Sequence, residues 1–262
     1  MTMLGLNAKR WLQLGATLCA LTAAAATAAP PPAEVFFKPS DVGEAHLSPS
    51  GRWLAVTTRL KGQERLGLAV VDLSPGGKSK QIAQFNDADI GNVHWQDDGR
   101  LLFSSSDLAD GSGLRRAAWG LFGIDIEGKR IRQYVKRQGG LAPSEGLFAE
   151  MLQWNHTLAT VPHPQADGPN EDVLLAEMVL DDTGLRLPVR LNTRTGVSRA
   201  AGFTLPPNCV GWISDSNADA RVAFTRKKDV HAAYWRAPGS SEWSKLYEDT
   251  LLKQPFEIVA VA

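Results

Sequence analysis

Cysteine is scarce: two residues in 262, Cys19 and Cys209. That excludes a disulfide-rich scaffold and a cysteine-based zinc site. Net charge is absent too, with 28 Lys+Arg against 28 Asp+Glu. Neither an electrostatic nucleic-acid surface nor an acidic tail is expected, so nucleic acid is not an expected partner. Long apolar stretches of helical period are missing after the first 25 residues, apart from one candidate helical turn near 144–152. A helical bundle is therefore excluded. No Gly-x-Ser-x-Gly occurs, and Gly111-Ser112-Gly113 has the wrong spacing for a nucleophile elbow. The histidines (His46, His94, His156, His163, His231) form no short-spaced metal pair. No catalytic, cofactor-binding or metal-binding residue is assigned, and no cofactor is expected. What remains is 44% hydrophobic and 21% charged, the composition of a folded chain.

The first segment reads as an export signal. Lys9 and Arg10 precede an uncharged Leu/Ala-rich run, Trp11 to Ala25, which closes on Ala26-Thr27-Ala28. The small residues fit an A-x-A cleavage site. The alternative, an uncleaved anchor, is disfavoured by the Ala/Thr content and by Pro30-Pro31-Pro32. Cleavage after Ala28 leaves 234 of the 262 residues, with 26 basic and 28 acidic side chains. The expected location is periplasmic or secreted, with no stable membrane anchor after cleavage. Cys209 is then alone, and its neighbours Val210-Gly211-Trp212 predict a buried, inert thiol.

From residue 45 onward the chain is a series of short β-branched or aromatic segments bounded by Gly, Pro, Asp, Asn or Ser. They repeat. Leu47-Ser48-Pro49-Ser50-Gly51-Arg52-Trp53-Leu54 aligns with Trp95-Gln96-Asp97-Asp98-Gly99-Arg100-Leu101-Leu102, at a spacing of 48. Val70-Val71-Asp72-Leu73 aligns with Gly123-Ile124-Asp125-Ile126 and, more loosely, with Val189-Arg190-Leu191-Asn192. A period of about 40–50 residues with four strands per unit is that of β-propeller blades. The expected fold is all-β: a partial propeller of about four four-stranded blades after a signal peptide. The division is 1–28 signal, 29–44 Pro-rich linker and entry, 45–248 blades (45–86, 91–136, 147–202, 209–248), and 249–262. Phe256 to Val261 is expected to open a fifth blade, and its apolar, uncapped end points to truncation.

The block 47–56, the opening Phe36-Phe37-Lys38-Pro39-Ser40-Asp41, the segment Val189 to Gly196 and Gly211-Trp212-Ile213-Ser214-Asp215 together resemble the N-terminal propeller of secreted bacterial prolyl oligopeptidase-family serine peptidases, of dipeptidyl- or acylaminoacyl-peptidase type. Block 47–56 is also similar to periplasmic propellers of the Tol system. The resemblance implies a C-terminal α/β-hydrolase domain as partner, a peptide as substrate of the intact enzyme, and a propeller that gates access. The chain alone is expected to be inactive. A stand-alone periplasmic propeller acting as binding module or scaffold is the alternative. Glu145 and Glu150 lie in an inter-blade insert but are not adjacent, so the family's amino-terminus-binding glutamate pair is not carried over to them. Asp215-Ser216-Asn217-Ala218-Asp219 starts like a calcium loop. Ala220 and Arg226 break that pattern, and a polar turn is expected. The basic run Lys129, Arg130, Arg132, Lys136 and Arg137 is expected on a solvated blade edge. The recurring tryptophans are expected between blades.

Overall fold

The computed structural model describes residues 40–107, 116–137, 151–163, 171–180 and 184–261. The proposed signal segment, Glu145 and Glu150 lie outside them. Sixteen strands follow one another in sets of four. The first set is β1 (Val42–Leu47), β2 (Trp53–Thr58), β3 (Gly67–Asp72) and β4 (Ser79–Ala83). The second is β5 (Asp89–Asp97), β6 (Arg100–Asp107), β7 (Arg116–Asp125) and β8 (Arg132–Val135). The third is β9 (His156–Thr160), β10 (Asp172–Met178), β11 (Arg186–Asn192) and β12 (Ser198–Ala200). The fourth is β13 (Cys209–Ser214), β14 (Ala220–Lys227), β15 (Val230–Trp235) and β16 (Ser244–Thr250). Each set is an antiparallel meander in which every strand pairs only with its chain neighbours. This is blade topology, and all four blades belong to the unit Asp41–Ala262.

Alternation along the strands gives each blade two faces. One face of the first blade (Ala55, Leu68, Val70, Ile82) packs on Ile90, Val93, Leu101, Phe103, Phe122 and Ile124. The opposite face of the second blade (Leu102, Leu121, Tyr134, Val135) packs on Val173, Leu175 and Leu191 of the third. Leu174 and Ala201 then meet Ala218 and Trp212 of the fourth. Neighbouring residues therefore serve different cores: Leu101 faces backward and Leu102 forward, both fully buried.

The repeated turns close the first hairpins. Gly51 adopts φ 74°, a left-handed conformation that suits glycine, and its N–H donates to Ser48 O at 2.8 Å. Gly99 at the aligned position has no positive φ; there the Asp97 carboxylate accepts from the Gly99 N–H at 2.7 Å and shapes the turn instead. The two turns touch, with Ser50 N donating to Asp98 Oδ1 at 3.0 Å.

One expectation is revised. Phe256 to Val261 pairs with no strand among the described residues; a short 3-10 turn (Leu251–Lys253) precedes it, and Phe256 packs edge-on against Tyr247. A strand needs a neighbour to hold its backbone hydrogen bonds. Of the candidate helical turn at 144–152, only Met151 and Leu152 are described, and Leu152 makes a parallel bridge to Val135. Among the described residues no helix is long and apolar enough to cross a membrane.

Candidate functional site

The first strands of the first two blades carry the same irregularity. In β1 the register slips between Val42 and Ala45, and in β5 between Gly91 and His94. The sequences there are Val42-Gly43-Glu44-Ala45-His46-Leu47 and Ile90-Gly91-Asn92-Val93-His94-Trp95. Both read Gly-x-x-His, and they are 48 residues apart. A bulge of this kind turns one residue's backbone off the ladder and re-aims the next side chains.

The turned-off N–H groups need partners. In β1 the Glu44 N–H donates to Thr57 Oγ1 at 2.7 Å, and a Cβ on Gly43 would lie 2.6 Å from that oxygen. In β5 the Asn92 and Val93 N–H groups donate to the Glu44 carboxylate at 2.8 and 3.0 Å. One bulge thus caps the next across the blade boundary. Asn92 is held at φ 50°, left-handed and unusual for a residue with a side chain. Its side-chain N–H donates to Ser104 Oγ at 2.8 Å.

Glu44 also lies 3.3 Å from His46 Nε2. Burial by itself pushes the Glu44 carboxyl up, but the Val93 and Asn92 N–H groups and then His46 outweigh it. The carboxyl is held below its ordinary 4.5. His94 opens on solvent, yet the protein around the imidazole lowers its pKa from 6.5; His46 adds to that and Glu44 opposes it. The Trp95 indole N–H donates to His46 O at 2.8 Å and locks the two strands together.

His94 and Asn92 face a cleft of about 330 Å³ between the second and third blades. Its remaining polar lining includes Ser104, Thr157 and Arg186, and Leu121, Leu158 and Met178 form an apolar wall. A second cleft of about 330 Å³ lies between the third and fourth blades and shares Thr157, Leu158, Ala176 and Arg186 with the first. Arg186 O accepts the Trp212 indole N–H at 2.9 Å, which fixes the start of β11 beside β13.

Other residues singled out in the sequence play structural parts. Asp215 caps its turn, accepting from the Asn217 and Asp219 N–H groups at 3.0 Å each, and accepts from Arg221 Nε at 2.6 Å with both side chains buried. The expected polar turn is there, with an ion pair added. In the basic run, Arg130 pairs with Asp125 and Lys129 with Glu127 on the surface. Arg132 instead donates to Arg194 O and Thr195 O of the third blade, and Arg137 pairs with Asp87. These two are ties rather than a free solvated edge. His156 is buried and 3.1 Å from Gln153 O through Nδ1. Cys209 is buried, and burial pushes its thiol pKa up, as for an inert cysteine. Among the described residues no group of three His, Cys, Asp or Glu side chains is arranged to hold a metal.

The chain is similar to peptidases among solved structures. It matches a puromycin-hydrolyzing peptidase of Mycobacterium tuberculosis at 12% identity and TM-score 0.39, over 80% of this chain and 29% of that one. It matches prolyl endopeptidases at 12% identity and TM-score 0.47, over 80% and 30%. An oligogalacturonate lyase in complex with manganese matches at 14% and 0.47, over 81% and 55%. The chain spans 25% to 30% of the length of the first peptidases it matches. These distant likenesses identify no activity or ligand. No family model matches, and no curated protein matches.

In the sequence His94 stands out only as one of five histidines without metal-pair spacing. What marks it further is the Gly-x-x-His repeat, a few residues upstream of the aligned turns. Glu44 and Arg186 carry no local signal; only their neighbours in space give them a role.

Proposed function

We propose that this chain is the non-catalytic propeller part of an exported serine peptidase of the prolyl oligopeptidase type, gating peptide access to a C-terminal α/β-hydrolase domain. One observation carries the reading. The 48-residue repeat with its Leu-Ser-Pro-Ser-Gly-Arg-Trp turn builds meander blades, and the first strand of the second blade turns His94 and Asn92 into an inter-blade cleft rather than into the core. A wall of such blades excludes large substrates by size and presents donors to small ones. Export follows from the 1–28 segment.

The decisive experiment reads the coding DNA beyond Ala262 and expresses the continuous frame. A hydrolase frame with a Gly-x-Ser-x-Gly elbow, whose product cleaves short peptides faster than folded proteins, is the expected result. A stop codon followed by unrelated sequence, with the 262-residue chain monodisperse and cooperatively melting, would replace this reading with the stand-alone binding module. Export is checked separately by sequencing the N-terminus of periplasmic material, which should begin at Ala29.

A further inference from the structure

We infer that the two clefts flanking β9 form a binding site for a peptide ending in a free carboxylate, with an apolar C-terminal side chain. The first cleft offers hydrogen-bond donors from Arg186, His94 and the second N–H of the Asn92 amide, while the Ser104 and Thr157 hydroxyls turn to Gly91 O and Ala176 O at 3.4 Å each; no Asp or Glu lines it among the described residues. The second cleft is likewise free of carboxylates among the described residues and continues from the first across Arg186. Arg186 is exposed, and no carboxylate pairs with it among the described residues. A guanidinium so placed binds a planar carboxylate through paired N–H donors, a stronger contact than neutral hydrogen bonds provide.

Glu44 keeps its charge, but the Asn92 and Val93 N–H groups and His46 occupy its two oxygens, and it lines neither cleft. The apolar wall of Leu121, Leu158 and Met178 suits an aliphatic side chain rather than an inorganic anion. The second cleft, with Trp212 and Ile213 in its lining, takes the preceding residues of the peptide.

Only the choice of a peptide as source of the carboxylate rests on the proposed function. The test uses the full 262-residue chain and isothermal titration with three probes: N-acetyl-Ala-Ala-Leu, N-acetyl-Leu and N-acetyl-Ala-Ala-Leu-amide. The tripeptide acid should bind most tightly and its amide roughly tenfold more weakly, the scale of one lost charge-assisted contact. Arg186→Gln should reduce the acid to the level of the amide. His94→Asn should weaken the acid by a few-fold. A cooperative urea melt followed by far-UV circular dichroism shows that each variant is folded. Equal binding of acid and amide, or unchanged affinity in a folded Arg186→Gln protein, overturns the assignment, as does the absence of saturable binding by either acid. Equal affinity of the tripeptide and N-acetyl-Leu overturns the peptide and leaves a site for small free carboxylates. If no hydrolase frame follows while the acid still binds, the proposed function falls and this site stands.

Discussion

The boundary between the first and second blades is sealed by bulk. Phe85, Phe103 and Phe122 lie with ring centroids 5.0–6.1 Å apart, and Leu68, Leu101 and Ile124 close around them. The boundary between the third and fourth is sealed by a smaller buried cluster and by charge. Leu174, Ala201 and Ala218 are buried with Phe203 and Trp212 packed against them, and Arg190 spans the gap to Asp219 Oδ1 at 3.0 Å and Ala218 O at 3.2 Å. The Thr160 and Ser214 hydroxyls meet across the same line. One repeat unit thus supports two kinds of joint. Apolar contact stabilises in proportion to area and tolerates imperfect fit. Buried charge requires every lone pair to be answered, and removing one partner strands the other.

Phe103→Ala should be the most damaging change, costing about 3–5 kcal/mol by loss of a fully buried ring. Denaturant melts would show it, and a cost below about 1 kcal/mol would break the claim that bulk seals this boundary. Asp215→Ala should cost about 3 kcal/mol, because the buried Arg221 loses its short ion pair and keeps only longer contacts to Asp219 and Ala237 O. Asp215→Asn, which retains an acceptor for the turn, should cost less. If instead Asp215→Ala is nearly neutral, the fourth blade's first hairpin is held by packing rather than by this pair. Arg190→Gln should cost no more than about 1 kcal/mol, since Asp219 is over a third exposed. That loss alone should shrink as salt is raised.

The bulge pair sharpens the comparison through pH. Glu44 has a folded pKa below 4.5, so its stabilising share is present above 4.5 and lost as pH falls through the folded value. His94 has a folded pKa below 6.5, so the unfolded chain takes up a proton first and stability falls as pH drops below 6.5. Both terms have the same sign. Glu44→Gln should flatten the loss below 4.5, and His94→Gln the loss just below 6.5, when urea midpoints are compared across pH. Smallest of all, Leu47→Ser should stay within about 0.5 kcal/mol, because Leu47 is 61% exposed. Its aligned residue Trp95 packs against the first core, so the same repeat position is worth little in one blade and more in the next.

Much of the architecture was legible because it is local. Turn residues at a 48-residue spacing and β-branched runs of four to seven residues mark hairpins wherever the chain lies. Four four-stranded meanders in chain order answer to those marks. Phe256 to Val261 shows the limit: its composition fits a strand, but a strand is completed by its neighbour. Gly99 shows another, since the same Gly-Arg pair closes one turn by a left-handed glycine and the aligned one by an aspartate.

The sequence by itself determined the class of fold and the places of its first hairpin turns, because alternation and turn chemistry act over a few residues. It also placed Glu44 and Asn92 at matching points of two repeats. Only the tertiary structure decided that Glu44 would answer the open N–H groups of the next blade, that Arg186 would stand across a cleft from His94, and that one boundary would be oily and another ionic. Those outcomes depend on which groups meet after some 50 to 100 residues of chain have folded between them, and no local pattern encodes that distance.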